Sequence, residues 1–180
     1  MKQDTEKDKQ SGIPFFTYLR RDVLQIHPRY LIISLLHMLA MNCPNHKMRV
    51  IFYRLRGTKI GKNVRIAPQV FIEEANPELI TIKENTDLGP RIIILTHDTI
   101  LNHLDMKIPY SRTSEVIIGR NCYIGAGVII LPGVTIGDNS IVGAGAIVTK
   151  SVPENCVAFG IPARIISTRE EWIKKHLGDA

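Results

Sequence analysis

An isoleucine or valine returns every six residues through the second half of this chain, at Ile118, Ile124, Ile130, Ile136, Val142 and Val148. Four of the six are followed by glycine, at Gly119, Gly125, Gly137 and Gly143. The same step occurs upstream at Ile60, Ile66 and Ile72, and again at Ile82, Leu88 and Ile94. A helix repeats at 3.6 residues and a half-buried strand at 2, so neither produces this spacing. A fixed six-residue phase marks a stacked β-helix. A smaller inward residue follows four positions later in each unit: Val64, Val70, Ile92, Cys122, Val128, Val134, Ala146 and Val152. An ordinary buried parallel sheet also gives apolar runs, but does not hold one phase over six units.

Each hexad predicts a short strand and a corner, and three hexads close one triangular coil of about 18 residues. Asn63, Asn121 and Asn139, all in I-G-x-N units, supply corner backbone freedom. Parallel crossovers are ordinarily right-handed; the hexapeptide pattern is the exception. The expected fold is therefore an all-β solenoid, a left-handed parallel β-helix over residues 58–166. An N-terminal segment (1–57), expected to be disordered over 1–12 and helical from about Pro14, precedes it and a short C-terminal helix (167–180) follows. The phase breaks between Ile94 and Ile118, which predicts an inserted loop over 96–115, and slips at Glu73-Glu74-Ala75-Asn76-Pro77, a smaller bulge. An insertion on one face of a repeat protein is a common place for function.

The net charge of +6 is unevenly placed. Residues 1–56 carry ten Lys and Arg against four Asp and Glu; the remainder balances at thirteen each. No nucleic-acid motif accompanies the basic segment and aromatics are few, so no nucleic-acid partner is expected. Tyr30 to Met41 is almost wholly apolar but too short to span a bilayer. Two roles are open to it: covering the open edge of the first coil, or docking on an anionic membrane surface with Arg20, Arg21, Arg29 and Arg49. Three cysteines without framework spacing suit a reducing compartment. The polar stretch Met1–Gln10 is no signal peptide. The expected location is cytoplasmic, at the inner face of the membrane if the basic helices dock there. Near the end, Thr168 is placed to cap a helix with Glu170 and Glu171 in its first turn. Trp172, Ile173 and Leu177 are expected to pack on the coil.

Leu131-Pro132-Gly133-Val134-Thr135-Ile136-Gly137-Asp138-Asn139, then Ala144 to Lys150 (A-G-A-I-V-T-K), then Gly160-Ile161-Pro162-Ala163-Arg164, strongly resemble the hexapeptide-repeat acyltransferases. The match is best to the maltose, galactoside and capsular-polysaccharide O-acetyltransferase branch. The resemblance implies an acetyl-CoA-dependent O-acetyltransferase acting on a sugar or surface-polysaccharide hydroxyl. It implies no metal, and a homotrimer with each active site between two subunits. His97, in L-T-H-D, matches the family's general base, and Asp98 could orient it or bind the sugar. His103 and Asp105 lie in the same insertion. Coenzyme positions carry over to Ala126 and Ala144, to Thr149 and Lys150 at the adenosine end, and to Arg164 on phosphate. A further basic position of galactoside relatives falls on Ser167, with Arg169 as the substitute. A backbone N–H near Gly125–Ala126 is the candidate oxyanion donor. An acceptor-contacting asparagine of galactoside relatives falls on Val70 or Phe71, so the acceptor is unspecified.

Alternatives remain open. The acceptor could be an amino group on a nucleotide sugar, or serine, or the chain could be a non-catalytic assembly subunit. A carbonic anhydrase on this fold needs three zinc-binding histidines, and only His97 and His103 fall in the repeat region.

Overall fold

The computed structural model describes residues 28–98 and 112–178. The chain divides into two compact units at Ile33/Ser34. Helix α1, Pro28–Asn42, opens in the first unit, and everything below lies in the second. Helix α2 is His46–Leu55, and Asn45 caps it by accepting from the N–H groups of Lys47 and Met48.

From residue 59 the chain visits three parallel sheets in rotation. The first circuit is β1 (Lys59–Ile60), β2 (Arg65–Ile66) and β3 (Phe71–Ile72); the second is β4 (Ile80–Ile82), β5 (Asp87–Leu88) and β6 (Ile93–Ile94). The antiparallel pair β7 (His97–Asp98) and β8 (Arg112–Thr113) departs from the stack. The third circuit is β9 (Val116–Ile118), β10 (Tyr123–Ile124) and β11 (Ile129–Ile130); the fourth is β12 (Thr135–Ile136), β13 (Ile141–Val142) and β14 (Ile147–Val148). A fifth, partial circuit holds β15 (Cys156–Phe159). Strand β16 (Arg164–Thr168) folds back antiparallel on it, and helix α3 is Arg169–Leu177.

The six-residue phase fills the axis. Ile66, Ile72, Ile94, Ile118, Ile124, Ile130, Ile136, Val142 and Val148 are all fully buried. Cys122 occupies one of the smaller inward positions, and burial pushes its thiol pKa up. Val152 differs from expectation. It pairs with Ile136 and so stands at a strand position, because the last circuit is offset by 16 residues (Ile141 on Val157) rather than 18.

The corner between the first and second sheets is a column of left-handed asparagines: Asn63, Asn85, Asn121, Asn139 and Asn155 all have φ between 53° and 60°. Asparagine tolerates this region better than other side-chain-bearing residues. Their amides also link the circuits, from Asn63 to Asn85 (3.1 Å), Asn121 to Asn139 (3.0 Å) and Asn139 to Asn155 (3.1 Å). Arg169 of α3 reaches this column and donates Nη1 to the carbonyls of Asn121 and Asn139, both at 3.0 Å.

The first circuit has no strand beyond it, and four side chains of the preceding segment cover its edge. Arg54 donates to the carbonyls of Ile60 and Gly61, Arg49 to Ile66 (2.7 Å), Tyr53 to Val70, and Arg56 to Ile72 (3.2 Å) and Glu73 (3.1 Å). Burial raises the Tyr53 hydroxyl pKa to about 12, which keeps it a donor. Much of the local basic excess therefore serves as hydrogen-bond donors to a sheet edge. Arg49 is buried and also bonded to the Cys43 carbonyl, which removes it from the set that could meet a membrane. In α1 only His37 and Ala40 are buried from residue 34 onward, while Leu35, Met38 and Leu39 are exposed. No helix among the described residues is long and apolar enough to cross a membrane.

At the other end, the sheet continues to Thr168 through β16, two residues past the expected boundary. Thr168 and Glu171 form a reciprocal capping box at the start of α3. Trp172 stacks on Phe159 of β15 (5.3 Å) and on His176 (4.0 Å). Ile173 remains 42% exposed and so is only partly covered.

Candidate active site

Both long departures from the repeat leave at one corner, after the third sheet. Residues 73–79 bridge β3 to β4 and end in a 3-10 turn at Pro77–Leu79. The second departure follows β6 and returns at β9. Because β3 and β6 are paired, with Ile72 opposite Ile94, the two excursions start side by side. The stacking brings Glu73 onto His97: Nδ1 of His97 lies 2.7 Å from Oε2 of Glu73. The same carboxylate oxygen accepts the Thr96 N–H at 3.3 Å. The Glu73 side chain is 8% exposed and that of His97 37%.

A buried carboxylate accepts, so the proton of a neutral His97 belongs on Nδ1. Nε2 then carries the lone pair on a partly exposed ring. Such an arrangement can remove a proton from a bound hydroxyl. Asp98, the other expected member of the site, is exposed in β7 and pairs in register with Arg112 of β8. The Nδ1 partner is Glu73, which sequence reading assigned only to a bulge. His103 and Asp105 lie outside the described residues.

The expected coenzyme positions divide between two corners. Ala126 and Ala144 are exposed and stack at the corner before the third sheet, where the Gly145 N–H donates to the Ala126 carbonyl at 2.8 Å. Gly125 is buried between circuits: its N–H donates to Val142 (2.8 Å), and a Cβ there would collide with the backbone nitrogen of Ala144. Thr149 and Lys150 are exposed after β14, at the corner that His97 leaves two circuits earlier. Arg164 is exposed at the start of β16 and donates to the Ala163 carbonyl. Within the chain His97 shares its corner with Thr149 and Lys150, while the alanine column stands at the opposite end of the same sheet. Arg169, the substitute phosphate ligand, spends Nη1 on the asparagine corner instead.

The family model for the bacterial transferase hexapeptide (six repeats) matches residues 115–150. Putative acetyltransferase YvoF of Bacillus subtilis is 39% identical over 113 residues, 63% of this chain; the match spans only 62% of that relative's length. Putative colanic acid biosynthesis acetyltransferase WcaF of Escherichia coli is 32% identical over 144 residues, 70% of this chain and 78% of that protein. The chain belongs to the hexapeptide-repeat acetyltransferases. Among solved structures, galactoside acetyltransferase in complex with coenzyme A superimposes with a TM-score of 0.65 at 27% identity, covering 81% of this chain and 83% of that one.

For this hexapeptide-repeat acetyltransferase, the signal that could have found Glu73 was the phase itself. Ile72 and Ile94 both close a third strand, so the residues just after them leave from stacked corners.

Proposed function

We propose that this chain transfers the acetyl group of acetyl-CoA to a hydroxyl of a sugar or surface-polysaccharide unit, with His97 as general base and Glu73 as its orienting partner. The observation that carries the reading is the buried Glu73 carboxylate on Nδ1 of His97, 2.7 Å away. An alcohol is a weak nucleophile near neutral pH. In the proposed step Nε2 of His97 takes the hydroxyl proton while the oxygen attacks the thioester carbonyl carbon. The tetrahedral intermediate collapses by breaking the C–S bond, and the imidazolium returns its proton to the departing thiolate. The products are the acetyl ester and the CoA thiol. Glu73 holds the tautomer and stabilises the transient imidazolium without itself being protonated, a division of labour known from other His–carboxylate pairs.

The winding is proposed to be left-handed, as the hexapeptide phase implies. The coenzyme arm is proposed to run along the third sheet, between the Ala126–Ala144 column and the Thr149–Lys150 corner, with Arg164 on a phosphate. Gly125 contributes by its missing side chain, and the Ala126 N–H is the oxyanion donor under this reading. The two ends of that sheet favour a homotrimer in which the base of one subunit faces the groove of the next; light scattering that returned a monomer would sink this. Asp98 is proposed to meet the acceptor. Exposed Leu35, Met38 and Leu39 favour a membrane-surface contact by α1, which vesicle flotation with and without anionic lipid tests.

The deciding experiment is thiol release from acetyl-CoA over a panel of sugars, nucleotide sugars and glycan oligomers, with wild type and His97→Ala. Acceptor-dependent release that falls about 10²–10⁴-fold in the variant is expected. Full activity in the variant would remove His97 as base, and release only with amino sugars or serine would move the acceptor to nitrogen or to the amino acid.

A further inference from the structure

We infer that Arg56 is a positioning residue for the Glu73–His97 pair, acting through the main chain of Glu73. Arg56 is 4% exposed. Its Nη2 donates to the carbonyls of Ile72 and Glu73, at 3.2 and 3.1 Å. Its Nη1 lies 2.8 Å from Nδ1 of His37. A guanidinium has no acceptor, so His37 accepts at Nδ1 and carries its proton on Nε2. That nitrogen faces Oε1 of Glu74 at 3.4 Å, and Ser34 approaches the other oxygen of Glu74, also at 3.4 Å.

Residues 72–74 are thus gripped from one side. Each polar group of Glu73 is committed: its N–H to the Ile94 carbonyl (3.1 Å), its carbonyl to Arg56, and its carboxylate to Thr96 and His97. With both main-chain groups held, the direction in which the side chain leaves the backbone is set. Edge covering alone would need only the bond to Ile72, the last residue of β3. The second bond, to Glu73, lies beyond the strand, where the chain has already left the repeat. Arg49 provides the internal comparison: it is equally buried and donates to a strand carbonyl of the same edge, that of Ile66, but touches nothing next to His97. Burial is costly for Arg56, whose Nε has no partner, and desolvation lowers its pKa.

The inference rests on His97 being the base, so its test has one arm independent of catalysis. Arg56→Met and Arg49→Met are compared for thermal stability, kcat, KM for acetyl-CoA, and the His97 imidazole tautomer by nitrogen NMR. Both variants are expected to be less stable. Only Arg56→Met is expected to lower kcat, by roughly 10- to 100-fold, with KM little changed and the Nδ1–H tautomer of His97 eroded. Arg56→Lys, which keeps the charge but loses the fork, is expected to fall between and serves if the methionine variant does not fold. Equal kcat losses in the Arg56 and Arg49 variants, or an unchanged His97 tautomer on losing the Arg56 fork, would overturn the inference. Were His97→Ala to retain full activity, the base assignment would fall, while the tautomer arm would still decide whether Arg56 governs the pair.

Discussion

Glu73 and His97 are 24 positions apart in the chain and 2.7 Å apart in space, each on a different excursion from the repeat. Under the proposed function the base is assembled from both excursions, with His97 on one and its orienting carboxylate on the other. Glu73→Gln keeps the shape but offers an amide that cannot demand the Nδ1–H tautomer. A fall in kcat of about 10²–10⁴-fold is expected, with KM for acetyl-CoA nearly unchanged and a circular dichroism spectrum like wild type. A kcat within twofold of wild type would show that the carboxylate is structural.

His37 makes folding sensitive to mild acid. Burial, then the neighbouring Arg56 charge, lower its pKa, and Glu74 partly opposes them. A depressed folded-state pKa means that the unfolded chain binds the proton more readily. The contribution is therefore fully present above about pH 6.5, the unfolded value, and is lost as pH falls through the lower folded value. The readout is the wild-type minus His37→Gln difference in unfolding free energy between pH 7.5 and 5. The wild type should lose more over that span; parallel curves would disprove the coupling.

The asparagine column makes a graded prediction. At Asn139 the side chain both tolerates φ of 60° and bonds two neighbours. Asn139→Gly keeps the backbone freedom and loses the bonds; Asn139→Ala loses both. The alanine variant should cost about 2–4 kcal/mol and the glycine variant about 1–2 kcal/mol in urea unfolding. The reverse order would mean that backbone conformation is not limiting there.

Close approach between circuits governs Gly125. A Cβ would strike the Ala144 backbone, and backbone cannot swing aside as a long side chain can. Gly125→Ala should cost about 1–3 kcal/mol, whereas Ala126→Ser, on the exposed corner, should change stability by less than about 0.5 kcal/mol. Equal effects would indicate that the circuits can separate without penalty.

The repeat made the stack legible because side-chain phase is a local property. Ile118, Ile124, Ile130, Ile136, Val142 and Val148 could be assigned inward one hexad at a time, and each is buried. The capping role of Thr168 was legible for the same reason. Glu73 was not, because its role depends on which circuit lies beside which. The first two circuits are offset by 22 residues, Phe71 on Ile93, and the next two by 36, Ile93 on Ile129. A fixed period of about 18 residues misses this stacking; it emerges only when strands are counted within each circuit, so that Ile72 and Ile94 both close a third strand. Arg49, Arg54 and Arg56 were read by charge, but their position at an open edge makes hydrogen-bond donation their main work.

That covered edge limits how such a molecule can grow. Repeat architectures lengthen readily by duplicating one unit. Here a new circuit placed before β1 would have to displace Arg49, Tyr53, Arg54 and Arg56 from the carbonyls they hold. Duplication within the regular stretch from β9 to β14 would meet no such obstacle. The same four side chains deny that edge to strand addition by another copy, so the stack is closed to edge-to-edge pairing at β1–β3.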